Sequence, residues 1–150
     1  MYPSYSLHYC YQRQTKQLIK DIEQAINDEY NAIHYYEKIS KLARFEKERK
    51  QILKILSDEK KHYRQFIQIY SSLTGRQPRP KLNGNGPNSY RKGIELAIRN
   101  EQSIVSFYLE IADKSSYPYV KDVFRRAAAD EQNHAVWFLY FLVNLNWLRT

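Results

Sequence analysis

Six residues of this sequence have the types and the spacing of a metal site. They are Glu29, Glu59, His62, Glu101, Glu131 and His134. His62 and His134 each follow a glutamate by three residues, so on a helix the two side chains of each pair lie on one face, about one turn apart. Carboxylate oxygens and imidazole nitrogens are ligands that iron and manganese accept in proteins. Each Glu-x-x-His turn could therefore bind one metal ion.

An internal repeat relates these residues to one another at an offset of 72 positions. The matching segments are AINDEYNAIHYYEKI at 25–39 with AIRNEQSIVSFYLEI at 97–111, and SDEKKH at 57–62 with ADEQNH at 129–134. The gapless alignment pairs Glu29 with Glu101 and Tyr36 with Tyr108. A repeat of this kind indicates a duplicated structural unit, so we expect two copies of one helical hairpin.

The elements that would position the six residues are four amphipathic helices. Apolar residues recur at helical spacing in four segments, and no segment alternates as a strand does. Three of the four glycines and three of the five prolines lie in residues 75–88, which predicts a crossover over about residues 75–89. If the paired glutamates lie at one height on antiparallel helices, the turns must fall midway, near Arg44 and Ser116. We predict an all-α fold, an antiparallel four-helix bundle of two duplicated hairpins joined by this long crossover.

The four glutamates fall on the apolar stripes of these helices. Glu29, for example, lies in the stripe formed by Ile22, Ala25, Ala32 and Tyr36. An isolated buried carboxylate is strongly disfavoured, so four of them at one level require compensating positive charge. Two divalent cations would supply it, because four carboxylates, two neutral imidazoles and two such ions sum to zero charge.

This set of residues resembles the metal sites of the ferritin-like superfamily of di-iron carboxylate proteins. The resemblance is to rubrerythrins and bacterioferritins in particular, and it covers about residues 15–147. It implies that Glu59 and Glu131 bridge the two metal ions. The terminal ligands that it implies are Glu29, Glu101, His62 and His134.

The same resemblance assigns roles to residues around the ligands. It implies that Asp58 and Asp130 each orient the ring of the opposite histidine, which fixes the nitrogen that meets the metal. Tyr36 and Tyr108 match tyrosines that lie near rubrerythrin centres, and core packing is the alternative role for both. The sequence also departs from rubrerythrins, which have a further glutamate where this chain has Ile104. That departure puts rubrerythrin-type ligand exchange and peroxidase activity in question.

The function that these features imply is a di-iron or di-manganese oxidoreductase, of the ferroxidase type or of the peroxide- or dioxygen-reducing type. Its substrates would be ferrous iron and either dioxygen or hydrogen peroxide. Zinc and mixed occupancy remain open as alternatives to iron and manganese. The alternative function is a non-catalytic metal-binding protein with the same fold, structural and associated with stress or with a coat. In bacterioferritins, which this sequence resembles, an interface methionine holds haem. Met1 is the only methionine of this sequence, so the resemblance gives no haem ligand and we expect no haem.

The composition bears on the electron donor, the cellular compartment and the binding of nucleic acid. Cys10 is the single cysteine, so the chain can form no internal disulfide and no rubredoxin domain, and an electron donor must be external. No apolar run is long enough to span a membrane, no secretory signal opens the sequence, and we expect a cytoplasmic protein. The net charge of +8 accompanies no nucleic-acid recognition motif, so we interpret it as solvated helix surface.

The two ends of the chain differ in composition from the rest of the bundle. Residues 1–14 are rich in tyrosine and predict a flexible N-terminal arm, which leaves residues 15–150 for the bundle domain. The segment WFLYFLVNLNWL at 137–148 is apolar on nearly every side of a helix and needs more cover than one bundle provides. We therefore expect a homodimer.

Overall fold

The structure is a computed structural model that describes the backbone of residues 4–147 and the side chains of residues 15–147. Its helices are α1 (Ser4–Leu42), α2 (Glu46–Thr74), α3 (Tyr90–Lys114) and α4 (Pro118–Trp147). Residues 4–147 contain no strand. α1 packs extensively against α2, and α3 against α4, whereas the α1–α3 and α2–α4 contacts are smaller. The predicted all-α bundle of two hairpins is confirmed.

Both hairpin turns lie at the predicted midpoints of the glutamate pairs. Residues 43–45 join α1 to α2, and residues 115–117 join α3 to α4, so each turn contains its predicted midpoint, Arg44 or Ser116. In the second turn the backbone N–H of Tyr117 donates to the Ser115 hydroxyl at 3.1 Å. The first turn contains neither glycine nor proline, and only the midpoint of Glu29 and Glu59 indicated its position.

The start of α1 differs from the sequence-based expectation. The helix begins at Ser4, within the segment that was expected to be a flexible arm over residues 1–14. Residues 4–14 contain no glycine or proline, so no helix-breaking residue separates them from the amphipathic part of α1. Residues 1–3 lie outside the described residues, as do residues 148–150, so the division into an arm and a bundle over residues 15–150 stays a prediction.

The crossover between α2 and α3 spans residues 75–89 and is attached to the side of α1. Gly75 ends α2 in the left-handed conformation, at φ 66°, which a residue without a Cβ adopts at little cost. Farther along, the backbone N–H of Lys81 donates to Oδ1 of Asn27 at 2.7 Å. The N–H of Asn83 donates to Oδ1 of Asn31 at 2.6 Å, and the Asn31 amide returns a bond to the Lys81 carbonyl at 2.9 Å. Two asparagine side chains thus replace the backbone partners that an extended segment otherwise lacks.

The core consists of two apolar clusters, one toward each end of the bundle. In one cluster the rings of Phe66 and Phe124 stack with their centroids 4.2 Å apart. The other contains Phe138 and Tyr36, whose ring centroids are 5.0 Å apart. The six predicted ligands belong to neither cluster, although they are as deeply buried. The apolar ends therefore enclose a polar layer.

The second half of α4 carries apolar side chains on its outer face as well as on its core face. No charged residue occurs between Ala135 and Leu148. Several of its large side chains are exposed, namely Val136, Leu139, Tyr140, Val143 and Trp147. Across residues 4–147, each helix is too short or too polar to cross a membrane. An apolar surface of this extent is typical of a contact with another protein.

Candidate metal centre

All four helices contribute to one buried polar layer. α1 provides Glu29 and α3 provides Glu101, while α2 and α4 each provide a glutamate and a histidine one turn apart. Each of the six side chains is at most 2% exposed; they are Glu29, Glu59, His62, Glu101, Glu131 and His134. Because the hairpin turns lie at the midpoints of the glutamate pairs, antiparallel packing brings all six to one height.

The ligand atoms of this layer form two overlapping groups. In each group, one oxygen or nitrogen atom per residue lies within 4.8 Å of the others; the groups are Glu29, Glu59, His62 and Glu131, and Glu59, Glu101, Glu131 and His134. Glu59 and Glu131 belong to both groups and so lie between the two positions. The structure thus brings all six predicted residues together, in the arrangement that two bridging and four terminal ligands would need. Their assignment as metal ligands stays a prediction at this point.

The two histidine rings are held from outside the layer by aspartates of the opposite hairpin. Nε2 of His62 lies 3.0 Å from Oδ2 of Asp130, and Nε2 of His134 lies 3.3 Å from Oδ2 of Asp58. With Nε2 engaged by an acceptor, the ring presents Nδ1 to the interior. Nδ1 of His62 lies 3.0 Å from the nearest oxygen of Glu131. The contacts that were expected of Asp58 and Asp130 are therefore present.

Two buried tyrosines hold the terminal glutamates, also across the hairpins. The hydroxyl of Tyr108 on α3 donates to Oε1 of Glu29 on α1 at 2.6 Å. The hydroxyl of Tyr36 on α1 donates to Oε1 of Glu101 on α3. Each tyrosine therefore occupies one oxygen of a carboxylate and leaves the second oxygen available. Both rings also pack in the apolar clusters, so the packing role and the contact with the site coexist.

The donor set fits a pair of metal ions. Five buried side-chain atoms of the layer make no hydrogen bond of good angular geometry among the described residues, although some lie close to one another; they are Oε2 of Glu29, Oε1 of Glu59, Nδ1 of His62, Oε2 of Glu101 and Oε1 of Glu131. Buried polar atoms are nearly always satisfied in folded proteins. Unpaired oxygens and one nitrogen, all directed into one layer, are what a divalent cation would satisfy.

The pKa values of the buried groups also indicate that the layer lacks positive charge when no metal ion is bound. Burial, followed by the negative charges of Glu59 and Glu131, raises the pKa of Glu29 well above its ordinary value, and the same causes act on Glu101. Burial by itself would lower the pKa of His134, but hydrogen bonds with Glu131 and Glu59 outweigh it and raise that pKa to about 10. Protons are thus drawn to the two terminal glutamates and to His134, because the layer holds more negative charge than its surroundings tolerate. Burial would also raise the pKa of Glu131, but its hydrogen bonds with His134 and His62 outweigh burial and lower that pKa.

A seventh buried ionisable group was missed by the sequence analysis. Glu48 is 6% exposed and accepts a hydrogen bond from the Tyr90 hydroxyl at 2.7 Å. It lies eleven residues before Glu59, on the same helical stripe, so the periodicity that identified the other glutamates could have found it. Its repeat partner is Val120, which is apolar, so Glu48 has no counterpart in the second hairpin. The pair belongs to the end of the bundle rather than to the polar layer.

Comparison with protein families relates the second hairpin to rubrerythrins. A family model described as Rubrerythrin matches residues 92–150, a segment that contains most of α3 and all of α4. A relative, the uncharacterised protein YhjR of Bacillus subtilis strain 168, is 43% identical over 143 residues, which cover 91% of this chain and 99% of YhjR. The likeness to YhjR therefore includes both hairpins and the crossover.

Two solved structures share the fold. A hypothetical protein from Pyrococcus furiosus superimposes with a TM-score of 0.75 at 21% identity, covering 87% of this chain and 91% of that one. A protein described as ferritin-like and di-iron-carboxylate, from Bacillus anthracis strain Ames, gives a TM-score of 0.74 at 19% identity, covering 86% and 97% respectively. At these identities the likeness establishes the fold alone, and it confirms that the bundle is ferritin-like.

Proposed function

Because the chain belongs to the same family as YhjR and its residues 92–150 match the Rubrerythrin family model, we propose that its polar layer binds two iron ions and that the protein is an oxidoreductase. The substrate would be dioxygen or hydrogen peroxide, with ferrous iron consumed in a ferroxidase reaction or an external donor restoring the reduced state. The observation that carries this proposal is the pair of ligand groups that share Glu59 and Glu131. A pair of manganese ions is the alternative occupant.

Each ligand has a role that its surroundings support. Glu59 and Glu131 would bridge the two ions, because their oxygens reach both groups. Glu29 with His62, and Glu101 with His134, would complete one ion position each. Asp130 and Asp58 contact Nε2 of the two histidines from outside, which directs Nδ1 of each ring inward, toward the position that an ion would occupy.

The surroundings of the site govern protons and water rather than electrons. When bound, a pair of iron ions supplies the electrons that reduce dioxygen or peroxide. Tyr36 and Tyr108 hold protons at their hydroxyls, because burial and then the nearby glutamates raise both pKa values well above the ordinary value for tyrosine. Their hydrogen bonds keep one oxygen of each terminal glutamate occupied. The apolar clusters above and below the layer exclude bulk water.

One observation favours the non-catalytic alternative. Ile104 occupies the position of the additional glutamate of rubrerythrins, and it is half-buried among apolar neighbours. Without a carboxylate there, the layer has no spare ligand to exchange when the charge of the ions changes. A protein that binds metal tightly but turns over slowly would fit this feature.

The first experiment is a measurement of metal content. We expect about two iron or manganese ions per chain in protein purified from cells grown with both metals, and loss of them in the Glu59→Ala, Glu131→Ala double variant. Glu48→Gln is the matched control, because it alters a buried glutamate outside the layer. Equal metal content in the double variant and the control, or little metal in any of them after reconstitution, would contradict the proposed site.

Turnover separates the two functions. Steady oxidation of ferrous ion, or removal of peroxide by the loaded protein at rates above free iron, would support the oxidoreductase. Tight metal retention with no such rate would support the non-catalytic alternative. The double variant serves as the blank for both assays.

We further propose that the protein is a cytoplasmic homodimer that buries the outer face of α4. The exposed side chains of Val136, Leu139, Tyr140 and Val143 support this proposal, because they form one apolar stripe on a half-helix without charges. Sedimentation equilibrium of the wild type and of a Leu139→Glu variant would test it. We expect a dimer for the wild type and a shift to monomer for the variant.

A further inference from the structure

A cavity of about 330 Å³ opens between α1 and α3, beside the polar layer. Tyr36 lines it, and the hydroxyl of Tyr36 donates to Glu101. One side chain therefore separates the cavity from a predicted ligand. On the other side of the layer, the α2–α4 face is occupied by the aspartate–histidine pairs that hold the rings of His62 and His134. On the α1–α3 face, the cavity is separated from the layer by Tyr36.

The lining of this cavity follows the internal repeat. Asp28 and Asn100 are separated by 72 residues, as are Asn31 and Ser103, and all four line the cavity. Residues that the repeat makes equivalent thus face one another across the gap between α1 and α3. The cavity therefore lies at the pseudo-two-fold axis that relates the hairpins, directly outside the helices that provide the two terminal glutamates.

The chemistry of the lining suits a divalent cation. It offers the carboxylate of Asp28, the side-chain oxygen of Asn100 and the hydroxyl of Ser103. Oδ1 of Asn31 also faces this region but already accepts the N–H of Asn83. Hard divalent cations coordinate oxygen donors of this kind, and a few such donors bind them weakly enough to release them again. No lysine or arginine is among the lining residues, although the chain carries a net charge of +8. Gln24 orients Asp28 by donating to its Oδ1 at 2.8 Å.

The two tyrosines differ in their access to this cavity. The ring of Tyr108 packs edge-on against Phe66 and Phe124, with ring centroids 5.2 and 5.5 Å away, and Tyr108 does not line the cavity. Tyr36 does. The cavity thus leads to the ligand group that contains Glu101 and His134, and not to its counterpart. The duplicated hairpins have made the ligands equivalent but their surroundings unequal.

We propose that this cavity is the route by which divalent cations enter the centre, with Asp28 attracting the ion and Tyr36 the last side chain before Glu101. The proposal rests on the proposed metal site. It assigns a function to residues outside the ligand set, and it predicts that they control the rate of metal uptake rather than the amount bound.

Uptake kinetics of Co²⁺ test this route without any turnover assay. Metal-free protein is mixed with Co²⁺ in a stopped-flow instrument, and visible absorbance of the protein-bound ion is followed at low and high salt. The variants are Asp28→Asn, with Asp122→Asn on the exposed face of α4 as a matched control, and Ser103→Trp, with Ser106→Trp on the same helix as its control. Bound Co²⁺ per chain at equilibrium is measured for each protein.

We expect Asp28→Asn to slow uptake about fivefold at low salt, since one nearby charge acts on a divalent ion, and to slow it less at high salt. Ser103→Trp should slow uptake by about an order of magnitude by filling the cavity mouth. The two controls should bind at the wild-type rate, and all proteins should reach equal Co²⁺ content. Wild-type rates in both Asp28→Asn and Ser103→Trp, at full Co²⁺ content, would overturn the route and leave the metal site intact. A wild type that binds no Co²⁺ would overturn the metal site and the route together.

Discussion

Replacing Glu101 by glutamine should change the stability of this protein in opposite directions with and without metal. Glu101 is 1% exposed, and its pKa lies well above the ordinary value of 4.5 because of burial and then of the charges on Glu59 and Glu131. In the metal-free protein this carboxyl is therefore a source of instability at neutral pH. In the metal-loaded protein it would be a ligand.

The size of the metal-free effect follows from the pH interval over which the group is kept from ionising. A carboxyl that ionises at 4.5 when unfolded, but not when folded, costs about 1.4 kcal/mol for each pH unit above that value. At pH 7 the cost is bounded at roughly 3.4 kcal/mol. Glutamine has the same shape without the charge, and it can still accept the hydrogen bond from Tyr36. We expect a gain of about 1–3 kcal/mol, or about 3–10 °C in Tm for a chain of this size.

The sign of the pH dependence is also determined. Because the folded pKa is raised, the native state binds more protons than the unfolded state above pH 4.5, and the wild type loses stability as the pH rises. The advantage of Glu101→Gln should therefore be absent near pH 4 and grow toward pH 7. With metal in excess the order should reverse, since an ion at a hundred times its Kd contributes about 2.7 kcal/mol and the variant has lost one ligand to it.

Thermal unfolding followed by circular dichroism measures the effect on the metal-free protein, in the presence of chelator, and on the metal-loaded protein, with added metal. Glu48→Gln is the control, because Glu48 is buried but accepts only from Tyr90 at the end of the bundle. Its effect on Tm should be the same in both conditions. A decrease in Tm for Glu101→Gln in chelator, comparable to any decrease in Glu48→Gln, would refute the argument that the layer is destabilised by its own charge.

Three further substitutions probe the support of the site and the fold. Asp130→Ala removes the partner of His62 Nε2 at 3.0 Å and should weaken metal affinity about 10–100-fold, as measured by competition with a chromophoric chelator, while Asp122→Ala should leave that affinity unchanged. Asn31→Ala removes two hydrogen bonds to the crossover and should lower the free energy of unfolding by about 1–3 kcal/mol in urea titrations; an unchanged midpoint would mean that the crossover is held by other contacts. Gly75→Ala places a Cβ at φ 66° and should cost about 1–2 kcal/mol in the same titrations, a cost that Gly75→Asn should largely avoid.

The polar layer was predictable because the duplication repeats the same ligand pattern at a fixed offset, which a single hairpin cannot do. One Glu-x-x-His sequence on a helix is common, but two of them at an offset of 72 residues, with Glu29 and Glu101 at the same offset, are not. The midpoint between Glu29 and Glu59 predicted the turn at Arg44, where no glycine or proline marks the end of a helix. Periodicity of 3.6 residues then assigned the glutamates to the buried faces, and the structure buries all four.

Other features could not be predicted from local sequence. The start of α1 at Ser4 differs from the expected arm, because composition rich in tyrosine indicates neither helix nor its absence when breakers are missing. Glu48 was overlooked because it has no partner in the repeat, and its burial depends on Tyr90, 42 residues away. The attachment of the crossover by Asn27 and Asn31 likewise joins segments about 50 residues apart.

By itself, the sequence determined which residues form the layer and at what height each lies. Helical periodicity and the repeat depend only on the spacing of residues along the chain. Only the tertiary structure decided how the two halves differ. Tyr108 is enclosed by Phe66 and Phe124, whereas Tyr36, its equivalent in the repeat, borders a cavity between α1 and α3. That difference arises from side chains of several helices meeting in space, and no spacing along a single chain encodes it.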